Sequence, residues 1–538
     1  MKFAHVTRSS GTIAGVVLLT GILCFPLIAG ARTRQETATR EFQKTLPLAA
    51  GQTLSIESKF GEIRIHGGGS REVAISATIH AETEKFADSV HIDVQQDTNG
   101  ISVRTVVPSE SPIVIRIGRK NSYSVDYDIA VPEDAKLWVK NAYGDVDVRG
   151  VHGWSDLETK NGQLAVRSGG SAKLTNAFGP IEADGLAGDL TVTNSNGTVT
   201  VSAVQGAVDL KDRFGSINVR NVNGAVTISG GNGPVELTDA GASKVNNSFG
   251  SVTVRNIHGA LTVSNSNGSI DVNTVSGSTD LNGSFGSITF ANMAGYVNCT
   301  ASNGRVTGGP TGADVYVRTT FGDVSLEEIN GGVDVEDSNG GITVREAKGK
   351  STLKTSFGSI EASGLRKNVK ATTGNGRISL TDVGGDAFAK TSFGAVTVQR
   401  VNGHLTVENS NGLVTASSVK GDATAKTSFG AVTLDDISGS ITVDNQNGAV
   451  MLSAARTSSV CKNITVKTSF APIQVRLPEG AGYNVTAHTS FGRISSDLPV
   501  TSSGQLRGDS LNGKIGNGGC TLSLLNSNGS IEILKLAK

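Results

Sequence analysis

The chain has 538 residues, with 48 basic and 48 acidic side chains and therefore no formal net charge. This balance excludes the strongly basic surface that nucleic acids require, so we expect no nucleic-acid partner. Glycine accounts for 68 residues, while hydrophobic residues make up 37% and aromatic residues 5% of the chain. That composition is too apolar for a disordered chain and favours a β-sheet core of small aliphatic side chains.

Residues 1–31 have the pattern of an export segment. Lys2 and Arg8 precede an apolar run at 13–28, and small residues follow at 29–31. This order is typical of a cleaved signal peptide. The apolar run is also long enough to remain in a bilayer as an anchor. Under both interpretations we expect the rest of the chain to be exported to the periplasm, the outer surface or the extracellular space.

Residues 32–141 predict an N-terminal β module. Apolar and polar residues alternate at 72–83, 90–107 and 123–131, which is the period of half-buried strands. We expect this module to cap one end of the repeats that follow.

Residues 142–446 repeat with a fixed period. An aromatic-Gly pair recurs every 35 or 36 residues, and an Asn-Gly pair follows each one 18 residues later, so the unit is 18 residues. After Tyr143 and Asn161, the repeated residues include Phe178, Asn196, Phe214, Phe249, Asn267, Phe285, Asn303, Phe321, Asn339, Phe357, Asn375, Phe393, Asn411 and Phe429.

The unit at 393–410 shows what each repeat forms. Counting Phe393 as position 1, positions 4, 6, 9, 13 and 15 are apolar, and positions 2 and 11 are glycine. This pattern predicts two short strands and two tight turns. Such a unit buries its apolar face only by stacking on its copies, which predicts an all-β chain folded as a parallel β-solenoid of about 22 coils.

Two columns of side chains follow from this register. At position 1, Phe alternates with Asn. The inward positions 13 and 15 become Ala in several Asn units, and these small side chains leave space in the core. We therefore expect each Phe ring to fold over the core and fill the space left by a neighbouring coil. Position 16 faces outward and carries charges of both signs, which predicts a ladder of ion pairs that holds the register. Its members are Glu336, Lys354, Lys390, Glu408, Lys426 and Asp444.

Residues 447–538 predict less regular coils and a C-terminal cap. We expect the segment 530–536 to form the last edge of the stack, protected by Lys535 against further pairing. A disulfide between Cys461 and Cys520 is compatible with an oxidising compartment, and the sequence leaves this pairing open. We expect Cys299 to be a small core residue.

The order of motifs resembles a known family. After the export segment come Gly51 and Leu54, then Gly61-x-Ile-x-Ile, then the strand 127–132 that ends in Val-Pro, and then the Gly-x-apolar repeats. This arrangement is similar to the bacterial DUF4097 family, also called toastrack or adhesin-type β-repeat proteins. The resemblance covers nearly all of the chain after residue 31 and implies an all-β repeat fold in the cell envelope. It supplies no catalytic residue.

The turns of the repeat also bear on metals and catalysis. A calcium β-roll needs aspartates in register in its turns, whereas these turns read Ser-Phe-Gly and Asn-Ser-Asn-Gly. We therefore expect no calcium, no other metal and no cofactor. The acidic pairs at 327–328 and 435–436 fit solvated turns, and no insertion in 143–446 builds a cleft around them.

The sequence favours a non-enzymatic, adhesin-like protein of the cell envelope. We expect it to bind an envelope glycan or a surface protein by many weak contacts along a rigid rod. One alternative is a structural or stress-sensing component that acts through a membrane-protein partner. A further alternative is a polysaccharide-active enzyme built on the same solenoid.

Overall fold

The half-repeat of nine residues corresponds to one strand and one turn of the fold. The computed structural model describes residues 38–107, 123–455, 461–502 and 508–536. The predicted export segment, 1–31, lies outside the described residues. Within them are fifty-one β-strands and one short α-helix, and no described helix has the length and apolar character needed to cross a membrane.

The N-terminal module contains the helix and the first seven strands. These elements are β1 (Ala38–Pro47), β2 (Thr53–Glu57), β3 (Ile63–Gly68), β4 (Glu72–Ala81), α1 (Glu84–Ala87), β5 (His91–Gln96), β6 (Gly100–Val106) and β7 (Tyr123–Pro132).

The repeats form two long sheets, because even-numbered strands pair with even-numbered strands and odd with odd. In chain order the strands are β8 (Lys136–Tyr143), β9 (Val146–Arg149), β10 (Ser155–Asn161), β11 (Leu164–Gly169), β12 (Ala172–Phe178), β13 (Ile181–Leu186), β14 (Leu190–Asn196), β15 (Val199–Val204), β16 (Val208–Phe214), β17 (Ile217–Val222), β18 (Val226–Asn232), β19 (Val235–Ala240), β20 (Ser243–Phe249), β21 (Val252–Ile257), β22 (Leu261–Asn267), β23 (Ile270–Val275), β24 (Thr279–Phe285), β25 (Ile288–Met293), β26 (Val297–Ala301), β27 (Val306–Gly308), β28 (Val315–Thr319), β29 (Val324–Ile329), β30 (Val333–Glu336), β31 (Ile342–Ala347), β32 (Ser351–Lys354), β33 (Ile360–Leu365), β34 (Val369–Thr372), β35 (Ile378–Val383), β36 (Ala387–Thr391), β37 (Val396–Val401), β38 (Leu405–Asn409), β39 (Val414–Val419), β40 (Ala423–Thr427), β41 (Val432–Ile437), β42 (Ile441–Asn445), β43 (Val450–Ala454), β44 (Ile464–Thr468) and β45 (Ile473–Leu477).

The C-terminal part adds six strands. They are β46 (Tyr483–Thr489), β47 (Ile494–Ser496), β48 (Val500–Ser502), β49 (Ser510–Ile515), β50 (Cys520–Asn526) and β51 (Ile531–Lys535).

The all-β parallel solenoid predicted from the repeat is confirmed. Each strand from β8 to β45 pairs in parallel with the strand one coil away, as β38 does with β36 and β40. The even-numbered strands from β8 to β44 form nineteen successive parallel rungs, and β50 and β46 extend this ladder by two, close to the expected number of coils. Positions 4, 6, 9, 13 and 15 line the buried core, and Cys299 is buried among them.

The N-terminal strands cap the stack, as predicted. β2 lies between β6 and the first repeat strand of one sheet, β8. In the other sheet β3 lies between β7 and the first repeat strand, β9. Beyond them, β4 and β5 pair antiparallel, on β7 and β6 respectively, and β1 pairs antiparallel on β4. This change of direction ends the parallel ladder, which limits pairing with another copy of the rod.

The C-terminal edge differs from the prediction. β50 inserts between β44 and β46, and β51 inserts between β45 and β47. The final strand is therefore inside the stack, and Lys535 pairs with Glu479 at 2.7 Å and protects no edge. In one sheet β49 and β48 lie beyond β46, and β49 runs antiparallel to both neighbours. In the other sheet β47 is outermost and runs parallel to β51. A disulfide between Cys461 and Cys520 fastens the inserted coil to the segment before β44.

A buried ladder of mostly polar side chains at position 17 fills one corner of most coils, with Gly230, Gly283 and Ala301 as the exceptions. Asn409 shows the pattern: its Nδ2 donates to the carbonyls of Gly394 at 3.0 Å and Gly412 at 2.8 Å, and its Oδ1 accepts from the Gly412 N–H at 3.1 Å. Asn445 makes the same three bonds one coil pair later. The ladder pairs backbone groups that burial would otherwise leave without partners.

Asp212 occupies this ladder where Asn is usual. Both carboxylate oxygens are buried without a hydrogen-bond partner. Burial raises the pKa of Asp212 above its ordinary value, and weaker interactions with the Arg213 and Phe214 N–H groups and with the Asn194 amide oppose the rise. A carboxylate has no proton to donate to the corner carbonyls, whereas an Asn amide does.

We predict that Asp212→Asn stabilises the protein by about 1–3 kcal/mol at neutral pH, because it supplies the missing donor. Since the native pKa is raised, the native state binds the proton more readily than the unfolded state, and the wild type gains stability as pH falls through that pKa. The difference between variant and wild type in urea unfolding should therefore shrink between pH 8 and mildly acidic pH. Asp209→Asn, an exposed change in the same strand, is the control and should show neither effect.

Glycine at position 2 is required by the close approach of neighbouring coils. A Cβ on Gly412 would collide with the carbonyl oxygen of Gly394, which belongs to the adjacent coil. By contrast, a Cβ on Gly341, one position later in its coil, would make only ordinary contacts, at 3.4 Å from Asp323 and 3.6 Å from Ser359.

We predict that Gly412→Ala lowers the free energy of unfolding by about 1–3 kcal/mol, since the stack must open to accept the methyl group. Gly341→Ala should leave stability nearly unchanged. Urea unfolding followed by circular dichroism measures both, and equal effects of the two changes would contradict the close-approach explanation.

Candidate binding surface

The aromatic rings of position 1 lie on the surface and not in the core. Eleven of them are exposed, with 46% to 83% of each residue accessible to solvent. They are Tyr143, Phe178, Phe214, Phe249, Phe285, Phe321, Phe357, Phe393, Phe429, Phe470 and Phe491. The expectation that each Phe ring folds over the core is therefore wrong.

The position 17 ladder explains why the rings face outward. The side chain two residues before ten of the eleven rings, such as Thr355 before Phe357, already occupies the inner corner and is buried, and Gly283 stands at this position before Phe285. Thr355 Oγ1 donates there to the Gly340 carbonyl at 3.1 Å. Because the corner is filled and glycine follows at position 2, the chain turns with position 1 on its outer side. The sequence contained one signal for the outward direction: position 1 is Asn in every second coil, which is more typical of a surface column than of an apolar core.

Asparagines separate the rings along the column. In the parallel register Asn196 lies between Phe178 and Phe214, and Asn267 lies between Phe249 and Phe285. The amide nitrogens are held in place: Asn411 Nδ2 donates to the Ser392 carbonyl at 3.2 Å. The same bond recurs at Asn267, Asn303, Asn339, Asn447 and Asn528. We call this column of exposed rings and intervening asparagines the Phe/Asn stripe.

The inserted C-terminal coil keeps this alternation. Phe470 and Phe491 are successive ring positions in the sequence, so simple stacking would place them on adjacent coils. Instead Asn528 lies between them: its N–H bonds to the Ser469 carbonyl at 2.8 Å, and the Phe491 N–H bonds to the Ser527 carbonyl at 2.9 Å. Asn512, which the sequence places in the same repeat series, lies outside the stripe in the antiparallel strand β49.

At the other end the stripe meets a cluster of aromatic rings. The rings of Phe60 and Tyr143 stack with centroids 5.2 Å apart, and Tyr123 meets Phe60 edge to face at 5.3 Å. Among the described residues, rings of the stripe beyond Tyr143 make no ring–ring contact. Each of these Phe rings is thus separately available to a ligand.

The position 16 charges lie beside the stripe. Lys354 Nζ is 2.6 Å from Glu336, and Lys390 Nζ is 2.9 Å from Glu408. Hydrogen bonding to Lys354 lowers the pKa of Glu336, and hydrogen bonding to Lys390 lowers that of Glu408. Lys426 and Asp444 face each other in register on β40 and β42. Charges of opposite sign thus alternate over part of this column and pair at Glu336 and Glu408.

A shallow groove of about 880 Å³ runs along the opposite corner, at positions 8 to 10. Its floor includes residues with left-handed backbone, such as Glu346 (φ 57°) and Asp382 (φ 57°). Arg400 pairs with Asp382 across one coil. The acidic pairs at 327–328 and 435–436 lie at this corner, where Glu328 and Asp436 line the groove. The described residues contain no group of three or more His, Cys, Asp and Glu side chains that could hold a metal ion.

Part of the chain matches a known protein family. Residues 366–534 match the family model described as Toastrack DUF4097. This match confirms, for the C-terminal part of the chain, the resemblance that the motif order indicated. No protein of curated function matches the chain in sequence.

One solved structure is similar in part. It is described as a "putative cell adhesion protein" from Clostridium sporogenes ATCC 15579, and it is 14% identical. The match covers 34% of this chain and 99% of that one, with a TM-score of 0.19.

Proposed function

We propose that this protein is an exported, non-enzymatic rod of the cell envelope that adheres to glycan or protein through the Phe/Asn stripe. The observation that supports the proposal is the row of eleven exposed rings along one corner of a rigid stack. Large apolar groups that are exposed at regular intervals along one line, rather than scattered singly, mark an interaction site on a protein surface.

The stack gives these rings a binding role that one ring alone would not have. A single exposed ring contributes only weakly to binding affinity. When many rings stand at fixed positions, the first contact with a repeating ligand brings its next units close to the next rings, so that the later contacts form more easily. Because the coils are joined by continuous ladders of backbone hydrogen bonds, a ligand need not order the surface. Affinity then depends on the number of rings engaged.

Asparagine offers a matched way to remove rings, because it already occupies the same column in every second coil. We predict that the triple variant Phe357→Asn, Phe393→Asn and Phe429→Asn folds normally but co-sediments with whole bacterial cells or isolated envelopes roughly tenfold more weakly than the wild type. The measurement is a saturation pelleting assay with the purified protein, repeated at high salt.

Tyr316→Asn is the control, since it removes an exposed ring from the outer face of β28, away from the stripe. It should pellet like the wild type. Saturable pelleting by the triple variant at wild-type affinity would contradict the proposed binding surface, as would the absence of any saturable pelleting by the wild type.

A further inference from the structure

We propose that the Phe/Asn stripe binds an extended, uncharged β-1,4-linked polysaccharide that lies along the axis of the rod. This inference rests on the proposed function and names the class of ligand. Three features of the stripe support it: the spacing of the rings, the chemistry between the rings and the order of the C-terminal coils.

The spacing of the rings matches the repeat of such a glycan. Neighbouring coils are about 4.8 Å apart, so rings on every second coil recur at about 9.6 Å. In an extended β-1,4-linked chain each sugar is turned over relative to the one before, so the same sugar face returns once per disaccharide. The length of that disaccharide is close to two coils. One Phe ring can therefore stack on every second sugar along the whole rod.

The groups between the rings suit sugar hydroxyls. Asn side chains offer a carbonyl oxygen and an amide N–H, which pair with hydroxyl groups as acceptor and donor. The residue before each ring or Asn, from Ser248 to Ser469, is Ser, Thr, Gly or Gln. Neither of these two columns carries a charge over that length, and in the adjacent position 16 column Lys354 and Lys390 pair with Glu336 and Glu408. An uncharged, hydroxyl-rich ligand fits this surface better than an acidic one.

The strand order at the C-terminus preserves the two-coil period. A surface that needed only apolar area would be served equally by Phe470 and Phe491 on adjacent coils. The chain instead inserts β50 and β51, which places Asn528 between the two rings. The alternation thus continues to the last ring, Phe491, although the sequence order there does not provide it.

A variant that shifts one ring by one coil tests the period without changing composition. Phe393→Asn combined with Asn411→Phe keeps the number of rings but leaves gaps of one and three coils. We predict that the wild type binds microcrystalline cellulose or chitin saturably, that it binds α-linked starch granules at least tenfold more weakly, and that the shifted variant loses about fivefold or more in affinity for the β-linked glycan.

Thermal unfolding by circular dichroism checks that the shifted variant is folded, and Tyr316→Asn is again the control. Wild-type affinity in the folded, shifted variant would overturn the match of periods. If the wild type pellets with cells through the stripe but binds neither cellulose nor chitin, the β-1,4-glycan inference is overturned and the proposed adhesive function stands. If the triple Phe→Asn variant still pellets with cells like the wild type, the proposed function itself fails.

Discussion

The close approach of successive coils at one corner determines the rest of the structure. There the backbone at position 2 leaves no room for a side chain, so Gly412 lies directly against Gly394. The tight corner buries carbonyl groups, and the Asn or Thr at position 17 pairs with them from inside. With the inner corner occupied, the residue at position 1 faces water. The exposed rings are thus a consequence of how the backbone packs, repeated once every two coils.

The regular part of the fold could be predicted from the sequence because every coil obeys the same local rules. Alternating Val396 and Val398, a turn glycine and a fixed period of 18 residues are sufficient to indicate a parallel solenoid. The direction of Phe393 was predicted wrongly, because the alanines at positions 13 and 15 of neighbouring units were interpreted as space for the ring, although the alternation of inward side chains does not continue past position 17. The buried Asn409 two residues before the unit at Asn411 shows where the alternation ends.

The ends could not be predicted from spacing, because the order of coils in the stack differs from their order in the chain. Insertion of β2 and β3 at one end and of β50 and β51 at the other depends on contacts between segments far apart in sequence. The one available sign was the succession of Phe470 and Phe491 without an intervening Asn unit. At the N-terminal end antiparallel strands lie outermost in both sheets, and at the C-terminal end they do so in one sheet. The insertion of β50 and β51 also completes the stripe.

Hydroxyl-radical footprinting of phenylalanine, read by mass spectrometry, tests the outward direction of the rings most directly. The account predicts that Phe357, Phe393 and Phe429 are oxidised in the native protein at rates near those of the unfolded chain, while the core residue Phe290 is protected until unfolding. Protection of the repeated Phe residues to the level of Phe290 would show that the rings fold into the core, and would contradict the binding surface proposed here.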